Sequence, residues 1–237
     1  MSKPGLSRAI TKTCLTRPAF GVLVFGVFSG ELVGALGPVT GIGETGLRDP
    51  PPFDAVGVDD VAGASAAIAH LIALGHRRIA MVTGTGRLTQ VTDRIDGAMR
   101  AVKAAGLPDD TIQFIECGAL TFSEGFDAAQ RVLGSTSRPT AVFCTNDLLA
   151  LGVLQVMTQR GISVPGEMSV VGYDDIDFAA AAAVPLTSVR QPSSRIGHVA
   201  LELLLAETRA EDEGRPHEHH RVVFTPELVV RSSSGPA

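Results

Sequence analysis

Four groups of polar residues lie where short apolar runs stop, and they are the positions in this sequence best suited to chemistry. Thr145-Asn146-Asp147 follows Ala141-Val142-Phe143-Cys144, and Tyr173-Asp174-Asp175 follows the run from Met168 to Gly172. Arg190-Gln191 follows Leu186-Thr187-Ser188-Val189, and Arg94 comes soon after Ile79 to Thr83. Apolar runs this short are predicted to be buried parallel strands. In an open parallel sheet, ligands bind at the carboxyl ends of the strands. A single Asn or Asp after a strand is ordinarily a turn former or a helix cap. Several such endings in one α/β unit are harder to explain by capping alone. Their chemistry is recognition: Arg, Asn and Asp together can grip vicinal hydroxyls of a sugar, and Asp with Arg can equally hold a nucleobase or an acid.

The segments around these groups must hold them in place. A helix is predicted from about Leu148 to Arg160, stopped by Gly161 with Pro165 beyond. Apolar residues at 61, 64, 68, 71 and 72 have helical spacing, with Asp59-Asp60 as a cap and Gly75 as the stop. His76-Arg77-Arg78 then sits where cations complement a helix end, so His76 is read as structural. Thr92-Asp93 is predicted to cap a helix with apolar positions 95, 98, 99, 102 and 105, which places Arg94 in its first turn, off the apolar stripe. The macrodipole disfavours a cation there, which marks Arg94 for function over a solvated helix charge. Gln113 to Glu116 reads as a strand and Ser123 to Gly134 as a helix with Phe122, Phe126, Ala129 and Leu133 on one side. Positions 196, 199, 200, 203 and 204 make another amphipathic helix. A polar linker from Glu207 to Arg221 precedes a last strand, Val222 to Phe224. The alternation of strands and helices dictates a parallel α/β fold.

Composition narrows the function. The 237 residues can bury a sizeable core, and the formal charge of −5 argues against holding a phosphate backbone unaided. Cys14, Cys117 and Cys144 have no metal or CxxC spacing, which suits free thiols in a reducing compartment. Gly84-Thr85-Gly86 lacks the spacings of a phosphate loop and reads as a flexible strand exit. His217, His219 and His220 are read as solvated loop histidines, so no metal and no cofactor are expected. No catalytic constellation sits at a common strand end, and no enzyme activity is expected. Residues 1 to 18 are basic and without apolar periodicity. The run from Ala19 to Phe28 is too short to span a membrane. It is read as a disordered start followed by a buried strand, Gly21 to Phe25, then a short helix over 31–36 and a strand over 38–43. The alternative is a secretory signal segment.

Taken together, these residues resemble the LacI/GalR family of bacterial transcription regulators, in its effector-binding core. The resemblance rests on Val58-Asp59-Asp60 with Gly63-Ala64, His70-Leu71-Ile72 with Gly75-His76-Arg77-Arg78-Ile79-Ala80, and Arg94-Ile95-Asp96-Gly97. It continues through Thr145-Asn146-Asp147, Ala150-Leu151-Gly152, Gly161-Ile162 to Pro165 and Val170-Val171-Gly172-Tyr173-Asp174-Asp175. Pro185-Leu186-Thr187-Ser188-Val189, Gln191-Pro192 and Gly197 complete it.

The resemblance implies a periplasmic-binding-protein-like fold of two α/β lobes with parallel sheets, the effector lying between them. It implies that Arg94, Asn146, Asp174 and Gln191, with Asp59 as a further candidate, line the ligand site. The expected division is 1–18 as a start outside the family pattern, 19–62 plus 191–212 as an incomplete amino-terminal lobe, and 63–190 plus 221–233 as the carboxy-terminal lobe. Such regulators are cytoplasmic homodimers that bind a small effector and an operator. The family's helix-turn-helix is not legible here, since only Leu6-Ser7-Arg8-Ala9-Ile10 is similar to part of one such helix. The chain therefore reads as a truncated or rearranged regulator, with operator DNA a partner only if that module is supplied. The alternative is an exported sugar-binding protein of the same fold.

Overall fold

The structure is a computed structural model that describes residues 23–24, 54–86 and 88–237. The chain divides into two units. The smaller takes residues 1–58 and 192–224, the larger residues 59–191 and 225–237. The expected basic start, the signal alternative, the helix over 31–36, the strand over 38–43 and Cys14 lie outside the described residues.

In the larger unit, β3 (Ile79–Thr83), β4 (Ile112–Glu116), β5 (Ala141–Cys144), β6 (Ser169–Asp174) and β7 (Thr187–Arg190) run parallel, and β9 (Glu227–Val229) adds antiparallel to β7. The strand order is β4-β3-β5-β6-β7-β9. Four helices and one shorter helix accompany them: α1 (Asp60–Ala73), α2 (Thr89–Ala104), α3 (Phe122–Leu133), α4 (Asp147–Gln159) and the short α5 (Asp177–Ala181).

Alternation along the strands explains why both faces are covered. Ala80, Val82, Val142, Cys144 and Val170 pack with residues of α3 and α4. Their neighbours Ile79, Met81, Phe143, Val171 and Tyr173 pack with α1 and α2 on the other face. The helix pairs approach closely because small residues sit at the crossings. A Cβ on Gly97 would lie 2.1 Å from the carbonyl oxygen of Val61, so only glycine lets α2 meet α1 there.

The smaller unit holds a parallel sheet of β1 (Leu23–Val24), β2 (Ala55–Val58) and β8 (Arg221–Phe224) in that order. The helix α6 (Ser193–Asp212) packs on it through Ile196 and Ala200 against Val56.

The structure corrects several expectations. The helix around Arg94 begins at Thr89 with no side-chain cap, so Thr92-Asp93 lies inside it and Arg94 one turn deeper than expected. That removes the macrodipole argument, because the dipole's influence fades beyond the first turn. The packed face of α3 is Gly125, Ala128, Ala129 and Val132, while Phe122 is 45% exposed. Small residues win that face because α4 comes close enough to place Leu149 O 2.2 Å from a Cβ on Gly125.

The linker expected from Glu207 continues α6 to Asp212. Arg221–Phe224 pairs with β2 and so belongs to the smaller unit, whereas 225–237 joins the larger one. The boundary near β2 falls after Val58, not after residue 62, because Asp59 and Asp60 already cap and open α1. The strand β9 and the short α5 escaped the sequence reading, being too brief to show a period. His217 and His219 are half-buried and not solvated, and His217 Nε2 lies 2.7 Å from a carboxylate oxygen of the fully buried Asp54.

Candidate functional site

The parallel strands of the larger unit all end along one edge, and the register places their polar endings side by side. Val82 lies beside Cys144, Phe143 beside Val171, and Asp174 beside Arg190. Thr83, Thr145 and Asp174 therefore follow one another across the sheet, with Gln191 just past the end of β7.

Arg94 is the centre of this edge. It is 1% exposed, and four groups hold its guanidinium. Nε donates to Asp60 Oδ1 at 2.8 Å, and Nη1 donates to the carbonyl oxygen of Thr145. The group stacks on the Tyr173 ring at 3.6 Å from its centroid, and Nη2 lies 3.8 Å from Asp174 Oδ1. Stacking and ion pairing keep a cation in a place that desolvation would otherwise empty. Burial opposes the charge, but Asp174 and Asp60 outweigh it and raise the pKa of Arg94. Nη2 meets no hydrogen-bond partner among the described residues, so one donor of a rigid fork is left for a ligand.

Asp174 has the complementary role. Its Oδ1 accepts from Gln191 Nε2 at 2.6 Å. Burial pushes its pKa up to about 7, against the pull of Arg94 and Gln191 and with help from Asp147 and Asp60. Asp174 has φ 106° and Asp175 φ 54°, left-handed backbone that a non-glycine residue adopts at a cost. Such strain of about 1–3 kcal/mol persists where surrounding contacts over-determine it, typically at ligand sites.

Asp175 shows what holds the turn. It is paired to Arg190 Nε at 2.7 Å and Arg231 Nη1 at 2.7 Å, and its N–H donates to Ser188 Oγ. Burial alone would raise its pKa, but the two arginines lower it, so it stays ionised. Asp147 braces the same turn, accepting from the Ile176 N–H at 2.9 Å and from Ser188 Oγ at 2.7 Å. Burial lifts Asp147 to about 6. Gly172 is the residue that admits this carboxylate, since a Cβ there would lie 2.1 Å from Asp147 Oδ1.

Of the five expected site residues, the structure brings Arg94, Asp174 and Gln191 into one cluster. Asn146 lies on the same edge with its amide engaged in structure: Oδ1 accepts from the Leu149 N–H and Nδ2 donates to Leu120 O. It is a helix cap that also fastens the segment before α3. Asp59 is exposed and caps α1 by accepting from the Ala62 N–H, while its neighbour Asp60 turns inward to Arg94. Sequence reasoning named Tyr173 as part of a strand ending and Asp60 as part of a cap, and placed neither among the ligand-site residues. A signal for Asp60 was present, because position 60 falls on the same helical stripe as 64, 68 and 71. Tyr173 precedes Asp174 on a strand and so faces the α1–α2 side, which brings its ring under Arg94.

Two cysteines lie beside this edge without chemical use. Burial pushes Cys117 up to about 11 and Cys144 well above its ordinary value, so both remain thiols.

A doubly covered parallel sheet with a braced Arg–Asp pair at its carboxyl edge defines an α/β domain that gathers polar groups at the ends of its strands. A family model for the periplasmic binding protein-like domain matches residues 68–234. The repressor PurR of Haemophilus influenzae is 36% identical over 171 residues, covering 72% of this chain and 50% of its own. Among solved structures, a LacI family regulator of Enterococcus faecium with bound ribose superposes with a TM-score of 0.72 at 29% identity, covering 78% of this chain and 66% of that one. A putative LacI family regulator of Sanguibacter keddieii gives 0.69 at 35% identity, covering 78% and 68%. The chain belongs to the periplasmic binding protein-like family, among the LacI-family transcriptional regulators. It spans about half the length of the curated relatives it matches.

Proposed function

We propose that the chain is the effector-sensing part of a LacI-type transcriptional repressor, taking a sugar or related polyol at the strand edge around Arg94, Asp174 and Gln191. The observation that carries this reading is the pairing of a rigid, buried guanidinium having one uncommitted donor with a carboxylate held in strained backbone beside it. A cation donor and a carboxylate acceptor 3.8 Å apart match adjacent hydroxyls, each of which can donate and accept. The ribose bound to the Enterococcus relative supports the ligand class.

The protein acts by binding and not by catalysis, in the cytoplasm and as a homodimer. Among the described residues no helix is long and apolar enough to cross a membrane. Operator recognition would require a helix-turn-helix supplied to this domain, since a charge of −5 gives the chain itself little hold on phosphates.

Calorimetry against sugars, polyols and nucleobases tests the reading, with Asp174→Asn and Gln191→Ala beside the parent. Loss of one hydrogen-bonding partner should cost about 1–3 kcal/mol, roughly 5- to 150-fold in affinity. Equal affinity in all three proteins would move the ligand elsewhere. Preference for a nucleobase over every sugar would keep the site and change its ligand class.

A further inference from the structure

A second cluster of titratable side chains lies wholly in the smaller unit. Asp54, just before β2, is fully buried. Its Oδ1 accepts from the His220 N–H at 2.7 Å, and its Oδ2 lies 2.7 Å from His217 Nε2. In the extended chain before β8, His217 and His219 alternate to the same side. One donor atom each from Asp54, His217 and His219 lie within 4.8 Å of one another.

Glu207, near the end of α6, is 9% exposed and close enough to feel the charges of His219, Asp54 and His217. Two buried atoms here, His219 Nδ1 and Glu207 Oε2, meet no hydrogen-bond partner among the described residues. Buried polar atoms of this kind call for a partner, because leaving them unpaired is costly.

We propose that Asp54, His217 and His219 form a binding site for a divalent cation of the zinc class. Two imidazole nitrogens and carboxylate oxygen are the borderline donors that zinc takes at about 2.0–2.2 Å in tetrahedral sites, about 3.3–3.6 Å from one another. The Asp54–His217 pair, now 2.7 Å apart, would open to that spacing as the ion replaces the proton between them, within a cluster whose donor atoms already lie within 4.8 Å. The outer shell is already in place: the His220 N–H fixes one Asp54 oxygen and leaves the other toward the histidines. The backbone bond from Ala55 N–H to His220 O, at 2.9 Å, holds the two segments together. The ion would therefore clip the segment before β8 to the start of β2, residues far apart in the chain. This site is independent of the effector reading.

The test is isothermal titration of the chelator-stripped full chain with zinc, repeated with cobalt, whose visible spectrum reports its donors. One equivalent should bind, with cobalt bands of nitrogen and oxygen ligation. Asp54→Asn and the pair His217→Gln with His219→Gln should each weaken binding by at least about 100-fold, more than loss of an outer-shell partner typically costs. Far-UV circular dichroism establishes that the variants are folded, and exposed His198→Ala should bind as the parent does. If zinc does not saturate a site in the parent, Asp54 and His217 are a plain clamp and the proposal falls. It falls equally if folded variants bind as tightly as the parent, or if the cobalt spectrum shows thiolate.

Discussion

Replacing Arg94 with methionine isolates the buried charge pair. Methionine keeps most of the volume, so the change is electrostatic more than a cavity. The variant leaves Asp60, 7% exposed, without its 2.8 Å donor, and Asp174 without the cation at 3.8 Å. It also orphans the Thr145 carbonyl and uncovers the Tyr173 ring. Removing one side of a buried ion pair costs about 3–5 kcal/mol, since the remaining charge stays desolvated. For a chain of this size that is a fall of roughly 6–20 °C in Tm.

The sign of the pH dependence follows from the same contacts. Arg94 lowers the pKa of Asp174, so without it burial raises that carboxylate further and the folded variant holds its proton. The deficit should therefore be largest above about 7, where Asp174 of the parent is ionised, and shrink as pH falls through that value and the parent's Asp174 takes up its proton too. Urea unfolding followed by circular dichroism at several pH values measures it, and Asp174→Asn in the Arg94→Met background completes a double-mutant cycle. A deficit under about 1 kcal/mol at neutral pH, or one indifferent to pH, would show that Arg94 is not the charge that holds this edge together.

Further outcomes are expected. Asp174 is protonated in the folded state up to about 7 but ionises near its ordinary value when unfolded, so its contribution to stability falls as pH rises between the two. Asp174→Asn should flatten that decline, which unfolding midpoints across the window would show. Gly97→Ala forces a Cβ to 2.1 Å from Val61 O and should destabilise by about 1–3 kcal/mol, against little effect at open Gly197. His76 bonds Thr140 Oγ1, Ser169 Oγ and the Gly235 carbonyl, and burial lowers its pKa. Its contribution is thus complete above its ordinary pKa and lost as pH falls through it. His76→Ala should cost about 1–3 kcal/mol and speed hydrogen exchange in the tail from Ser233 to Ala237.

The sequence by itself determined the class of fold and the edge where the candidate residues gather. Apolar runs of four to six residues alternating with helical spacing leave a parallel sheet covered on both faces as the consistent solution. Strand ends marked by Thr145, Asp174 and Gln191 then fall on one edge whatever the details of packing. Local pattern also named Arg94, although the reason offered for it, the helix dipole, did not survive the earlier start of α2.

Which of two adjacent carboxylates meets Arg94 was left to tertiary structure. Asp59 and Asp60 are both cap-forming residues, and rotation of α1 onto the sheet sends one outward and the other inward. The ring beneath Arg94 depends on the same docking, because Tyr173 faces α1 and α2 only once β6 has taken its place beside β5 and β7. Burial lifts Asp174, and the charges that act on it, Asp147 and Asp60 upward and Arg94 downward, stand 27, 114 and 80 positions away in sequence, so no local window contains its environment. Nor does any window hold Asp54 beside His217, 163 residues on, which is why three histidines that read as solvated loop come to face a buried carboxylate. Secondary structure is written in short periods, whereas desolvation and charge pairing arise only when distant segments exclude water together.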